Sequence, residues 1–366
     1  MKICFFGELN PQYSRYANLI RGLRILGHQI IICRYNFQSQ ITNPFKFLKE
    51  TIKEYVFLLS MVIKIKYDYL IVGYPMLKPV LFTRFLDKKK IILDPFISNY
   101  NTIIFDHKLF EPQSFIAKFL YIYEKKALSR CRYVLTDTKA HAVFFSKFFR
   151  IPIDKFKVIP VGSNNQIYFP NPSKNTKKEG KFVVGFYGKF IPLQGIETIV
   201  QAAEKLRDYK NISFEIIGGL QGNKILASIK SYIQEKKLTN VHLIPRVSEE
   251  ELRNYVQRST IQLGIFGNSL KAQIVIPNKV YSALAMAKVV ITSKNYATTE
   301  FFKSGFDIIL CKKQDPGDLA KKIVFLYQNR EKLPIIGKNA YITYLSSFTP
   351  KKIGELFESQ VLYNDY

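Results

Sequence analysis

The chain has no tryptophan and only four histidines in 366 residues. Cysteine is as scarce: Cys4, Cys33, Cys131 and Cys311 stand far apart, with neither the paired spacing of a zinc site nor that of a disulfide framework. This usage suits a reducing compartment. Long apolar runs are missing too. The longest, Tyr55 to Ile63, is nine residues interrupted only by Ser60, whereas a membrane span needs about 20. The opening residues MKICFFG hold too short an apolar core for a leader peptide and are expected to form a first strand.

Acidic residues are also few. The net charge is +27, with 26 basic and 11 acidic residues in 1–173 and 29 and 17 in 174–366. An excess spread this evenly is not a basic tail. It points to an anionic partner such as a phosphorylated small molecule, a phospholipid surface or nucleic acid. A general bias toward lysine would give the same surplus with no partner at all. Nucleic acid is the weakest of these, because no helix-turn-helix, RNA-recognition or zinc-finger pattern is present.

What the sequence does have is strand–helix alternation, twice. Apolar strands are expected at Lys2–Phe6, Gln29–Cys33, Tyr69–Gly73, Lys90–Asp94, Tyr133–Thr136 and Lys157–Pro160. Amphipathic helices are expected at Arg15–Leu26, Pro44–Ile65, Ser114–Ser129 and Ala140–Phe149. Strands that are nearly all apolar, alternating with helices, make a parallel sheet covered on both faces. The stretch from Asn164 to Lys181, with Pro170, Pro172 and several lysines, then reads as a linker. The pattern restarts with strands at Phe182–Tyr187, Ser213–Ile217, Val241–Ile244, Ile261–Phe266, Val289–Thr292 and Ile308–Cys311. The expectation is therefore an α/β chain with a first domain over 1–165, a linker over 166–181 and a second domain over 182–345. A helix over 346–366 is expected to return to the first domain.

Three segments of the second half carry chemistry. GKFIPLQG, from Gly188 to Gly195, lies between a buried strand and an amphipathic helix. Gly188 permits a sharp turn, Gly195 sits where free amides and the helix dipole favour an anion, and Lys189 supplies positive charge. A βα turn with glycines and no ligand explains the segment alone nearly as well. Next, the strand ending at Ile217 runs into Gly218-Gly219 at the carboxyl edge, where open α/β sheets bind ligands. Last come Pro277-Asn278-Lys279 and the small-residue helix and strand SALAMAKVVI, starting at Ser282.

In this order the three segments resemble the C-terminal domain of glycosyltransferase family 4, the group 1 glycosyltransferases. The first half resembles that family's acceptor-side domain through the Gly7 turn, GLRILGHQI, IILDPFIS, VLTDTKAH and VIPVGSNN. The resemblance implies a GT-B fold, two Rossmann-like doubly wound domains facing a cleft. It also implies a retaining, metal-independent transfer of a hexose-like sugar from a nucleotide sugar to a glycan or lipid-linked acceptor. A cytoplasmic protein, peripheral at the inner membrane face and serving polysaccharide synthesis, is expected. No cofactor is implied, because the nucleotide sugar is a substrate. The donor site implied is Gly188, Lys189, Gln194, Gly195, Gly218, Pro277, Asn278, Lys279 and Ser282.

The departures are specific. Ser282 stands where the family carries a ribose-binding glutamate, and Ile274 where it carries one that holds the donor sugar. Gln194 replaces a second cation, and Ala287 and Val289 replace a glycine and a proline. A degenerate relative that binds a nucleotide sugar or partners an active transferase is the alternative these changes raise.

Candidate catalytic groups are Lys189, Asp94 and Asp106. Asp94 ends a buried strand, where an acid is costly unless hydrogen-bonded or functional; capping the turn before Pro95 is its plain role. Asp106 and His107 lie in the following polar loop. Glu8 and Arg15 flank the first βα turn, and Asp137 or Thr138 is expected to cap the helix that holds His141. His28 and His242 read as structural. An anionic membrane partner is expected at Pro44–Lys66, whose aromatics and lysines recur at helical spacing, with Phe144–Arg150 as a second apolar, basic patch. An ordinary sheet-covering helix fits Pro44–Lys66 equally well.

Overall fold

Strand β1 (Lys2–Gly7) supplies the first buried run, and β2 (Gln29–Arg34) and β3 (Tyr69–Val72) pair with it on either side. β4 (Ile91–Leu93), β5 (Tyr133–Thr136) and β6 (Phe156–Val158) complete a six-stranded parallel sheet ordered β2-β1-β3-β4-β5-β6. The computed structural model describes residues 1–7, 9–34, 49–50, 53, 56–57, 60–73, 87–96, 98–106, 109–171, 180–220 and 222–363. Glu8, His107, most of the 44–66 segment and 172–179 of the expected linker lie outside them, as does the side chain of Asp106.

Two compact units divide the chain, Met1–Pro160 with Pro350–Tyr366 and Val161–Thr349. In the first unit, Cys4, Phe6, Val72 and Leu93 pack on one face of the sheet and Ile3, Phe5, Ile71 and Ile92 on the other. Period-2 alternation of side chains explains how one strand feeds two cores. The helix Pro350–Phe357 and the π-helical Glu358–Leu362 close the second of these faces through Ile353, Phe357, Val361 and Leu362. His28 reaches Glu358 there at 2.8 Å, so its role is structural, as the sequence indicated.

The second unit repeats the architecture with β7 (Phe182–Gly188), β8 (Ile212–Gly218), β9 (Val241–Ile244), β10 (Ile261–Leu263), β11 (Val289–Ser293) and β12 (Ile309–Cys311). All pairs are parallel, in the order β12-β11-β10-β7-β8-β9. The strand order therefore reverses between β7 and β10. Open sheets of this kind bind ligands outside the carboxyl ends of the strands at such a reversal. The helix Ile196–Lys205, with Ile196, Ile199, Val200 and Ala203 buried, packs into the large core of this unit.

Three short helical turns have no clear sequence signal: Asn101–Asp106, Leu270–Ile274 and Thr298–Phe301. The expected strand to Phe266 stops at Leu263, because Gly264 to Gly267 turn away to meet the segment after β7.

Asp94, a candidate catalytic acid in the sequence, is engaged in a buried ion pair. Its carboxylate has no exposed surface and pairs with Arg15, Nε to Oδ2 at 2.9 Å and Nη2 to Oδ1 at 3.3 Å. Arg15 is also buried and donates to the Ile159 carbonyl, so the pair ties the first helix to the ends of two strands. Removing one partner of a buried pair strands the other charge, at a cost of about 3–5 kcal/mol. Asp94→Ala should lose about that much stability in urea unfolding; a loss below about 1 kcal/mol would show that the pair does not hold the fold.

Candidate active site

At the reversal in the second unit, the chain leaves β7 through Gly188 and Lys189, makes a tight turn over Pro192–Gln194 and enters the helix Ile196–Lys205 at Gly195. Gly195 has φ 63°, and a Cβ there would lie 2.5 Å from the carbonyl carbon of Phe266 and 2.6 Å from the Gly267 nitrogen. Only glycine combines that conformation with so close an approach. Its task is to dock this turn on the turn after β10, and it does not line the cavity described below. A Cβ on Gly218 would collide with the carbonyl oxygen of Gly188, so the ends of β7 and β8 also meet backbone to backbone.

Lys279 lies under this turn. The helix Asn278–Ala285, with Pro277 at its N-cap, carries the side chain inward. Its Nζ donates to Gln194 Oε1 at 2.5 Å and sits 3.6 Å from the centre of the Phe186 ring. A Cβ on Gly188 would be 2.9 Å from that Nζ and 3.3 Å from Gln194 Oε1. Gly188, Gln194 and Lys279, expected together from sequence, do converge. Burial, with no ion-pairing carboxylate among the described residues, holds Lys279 well below the usual lysine range.

Above them opens a cavity of about 570 Å³, of the size that takes a small ligand. Gly188, Lys189, Gly218 and Gly219 line it together with Tyr168, Tyr187, Arg246, Val247, Glu249 and Leu252. Lys189 is exposed at the rim. Asn223 fixes the wall: its amide donates to the Phe190 carbonyl at 3.0 Å, and its oxygen caps the helix Lys224–Glu235 at Leu226. Pro277 and Asn278 are half-buried at their helix start and do not line the cavity.

Ser282 is buried, and its hydroxyl lies 3.2 Å from that of Ser163. The hydroxyls of Tyr168 and Tyr187 also reach it, and Tyr168 donates to Glu249 at 3.3 Å. Burial pushes both tyrosines up. This hydroxyl cluster fills the space beneath the cavity wall where the sequence led us to look for a carboxylate. Ile274 is buried at the end of its short helix. Of the missed residues Tyr168, Tyr187, Arg246 and Glu249, the last three lie at or beyond the carboxyl end of a strand, which is a usable signal. Tyr168 precedes the strands of its unit and carries no such signal.

Several charged and polar residues near the corresponding edge of the first unit pair with one another. Besides Arg15 and Asp94, Asp137 accepts from His141 Nδ1 at 2.7 Å, and Thr138, not Asp137, caps that helix at the His141 amide. His242 is exposed on β9. Among the described residues no group of three or more His, Cys, Asp or Glu could hold a metal ion, and no helix is long and apolar enough to cross a membrane.

Residues 169–343, which hold this whole glycine and lysine arrangement, match the family model described as glycosyl transferases group 1. These residues are similar to the group 1 glycosyltransferases. An uncharacterized glycosyltransferase of Methanocaldococcus jannaschii is 23% identical over 190 residues, 50% of this chain and 46% of that protein. The match thus spans about half the length of the curated relative. Among solved structures, HepE of Anabaena in complex with UDP and glucose is similar with a TM-score of 0.75 at 15% identity, covering 99% of both chains. Sucrose-phosphate synthase of Thermosynechococcus elongatus has a TM-score of 0.77 at 14% identity, covering 98% of both. At such identities the likeness establishes the fold, and it is the GT-B fold that the motifs implied.

Lys279 gives the site a pH signature. With its folded pKa depressed, the unfolded chain binds a proton that the folded chain lacks. Stability therefore rises with pH through the window between the depressed value and the usual 10.5. Lys279→Met should flatten this slope and leave the melting temperature at least as high, while weakening binding of inorganic diphosphate roughly tenfold or more. A variant that melts lower and binds diphosphate as before would refute this assignment.

Proposed function

We propose that the chain transfers a sugar from a nucleotide-sugar donor to a glycan or lipid-linked acceptor, with retention and without a metal ion. The observation that carries this reading is the convergence of Gly188, Gln194 and Lys279 beneath the cavity edged by Lys189 and Gly218. An ammonium desolvated under a glycine turn at a sheet reversal is matched by a diphosphate. In the reaction the bond from the sugar's anomeric carbon to the diphosphate breaks, and its electron pair stays with the diphosphate. The acceptor oxygen forms the new bond and passes its proton to an oxygen of the departing diphosphate. Lys279 and Lys189 stabilise the departing charge, the task a metal performs elsewhere. The family's structural neighbours favour this reading, since HepE was solved with UDP and with UDP-glucose. A cytoplasmic site of action, peripheral at the inner membrane face, and a role in polysaccharide synthesis follow from the same reading.

The second reading is a nucleotide-sugar-binding relative without turnover. It is favoured by the hydroxyl cluster of Ser163, Tyr168, Tyr187 and Ser282, which occupies the place of a carboxylate. A thermal-shift panel of UDP-, GDP-, ADP-, TDP- and CMP-sugars, followed by radiolabelled transfer from the donor that binds, separates the possibilities. The expected result is a shift with at least one donor and turnover that Ser282→Glu lowers. Binding without turnover, with activity gained in Ser282→Glu, would favour the second reading. No shift with any donor would dismiss both.

A further inference from the structure

The first unit leaves an apolar row uncovered. On the helix Phe115–Arg130, Phe115 is 83% exposed, Phe119 55%, Ile122 51% and Ile116 41%. Spacings of three and four residues place Phe115, Phe119 and Ile122 on one face. Ala117, Leu120, Glu124, Ala127 and Leu128 are the helix's buried residues and account for its packing on the unit. Leu109 (63%) and Phe110 (41%), just before the helix, add to the exposed apolar surface. Soluble chains seldom leave contiguous apolar surface of this kind without a use for it.

The exposed charges on this helix are of one sign. Lys118, Lys125, Lys126 and Arg130 share the helix with one acid, Glu124. That acid is fully buried. It accepts from the Ser98 hydroxyl at 2.7 Å and from the amides of Asn99 at 2.6 Å and Tyr100 at 3.1 Å. Nothing negative on the helix therefore offsets the lysines beside the phenylalanines. Large aromatics on the exposed face, lysines at their flanks and no surface acid are the chemistry of a helix that lies in the interface of an anionic bilayer.

We propose that the helix Phe115–Arg130 docks on an anionic lipid surface, with Phe115, Phe119 and Ile122 below the headgroups and Lys118 and Lys126 among the phosphates. The helix begins on the carboxyl side of β4, so a lipid-borne substrate would arrive at the ligand-binding edge of that sheet. The surface belongs to the first unit and the cavity to the second, so this proposal does not depend on the nucleotide-sugar reading.

Sedimentation of the full chain with phosphatidylcholine vesicles containing about one-third phosphatidylglycerol tests it. The parent should sediment with these vesicles and not with pure phosphatidylcholine. The double substitution Phe115→Ser and Phe119→Ser, both on exposed side chains, should cut binding roughly tenfold with unchanged circular dichroism. Val56→Ser with Ile63→Ser, on exposed positions of the 49–64 segment, should leave binding intact. A parent that does not sediment would overturn the proposal, as would a Phe115/Phe119 variant that binds like the parent or loss of binding only in the Val56/Ile63 variant. So would a parent dimer that the Phe115/Phe119 variant dissolves, which would make the face an interface between copies.

Discussion

A lysine buried with no ion-pairing carboxylate among the described residues is the constraint around which the second unit is built. Removing an ion from water costs several kcal/mol. Lys279 recovers part of that through the Phe186 ring face and the Gln194 oxygen, contacts worth about 2 and 1.5–3 kcal/mol. The remainder is an affinity held in reserve for an anion. The surrounding sequence follows from it: Gly188 leaves room above the ammonium, Gly195 lets the turn dock on Phe266 and Gly267, and Gly218 clears the Gly188 carbonyl. Each side chain added there would push the cation away or open the sheet ends.

The two units share an architecture and use it differently. In the first, the charged groups near the carboxyl edge satisfy one another, Arg15 with Asp94 and Asp137 with His141. In the second, the corresponding edge is left unfilled, with Lys189 and Arg246 opening on a cavity whose wall carries tyrosine hydroxyls and Glu249. The first unit contributes an apolar, basic helix face and an edge already closed by its own ion pairs.

Much of this was legible in the sequence. Buried apolar runs bounded by glycine or proline mark the strands, and β5 and β9 fall at the bounds read from sequence because both ends carry polar breaks. Gly188, Gln194 and Lys279 could be named because glycine turns and small-residue helices have local signatures. What stayed hidden is long-range. Arg15 and Asp94 are 79 positions apart, and nothing near Asp94 announces an arginine. Ser282 looked like a missing carboxylate, when Tyr168 and Ser163, more than a hundred residues earlier, bring their hydroxyls to it.

The central claim is that Lys279 is desolvated in the free protein and charged against a diphosphate in the complex. Calorimetric titration of UDP at a pH near 8, in two buffers of different ionisation enthalpy, counts the protons exchanged on binding. The account predicts net proton uptake by the parent and less by Lys279→Met. UDP binding with no proton uptake, or equal uptake in the variant, would contradict it.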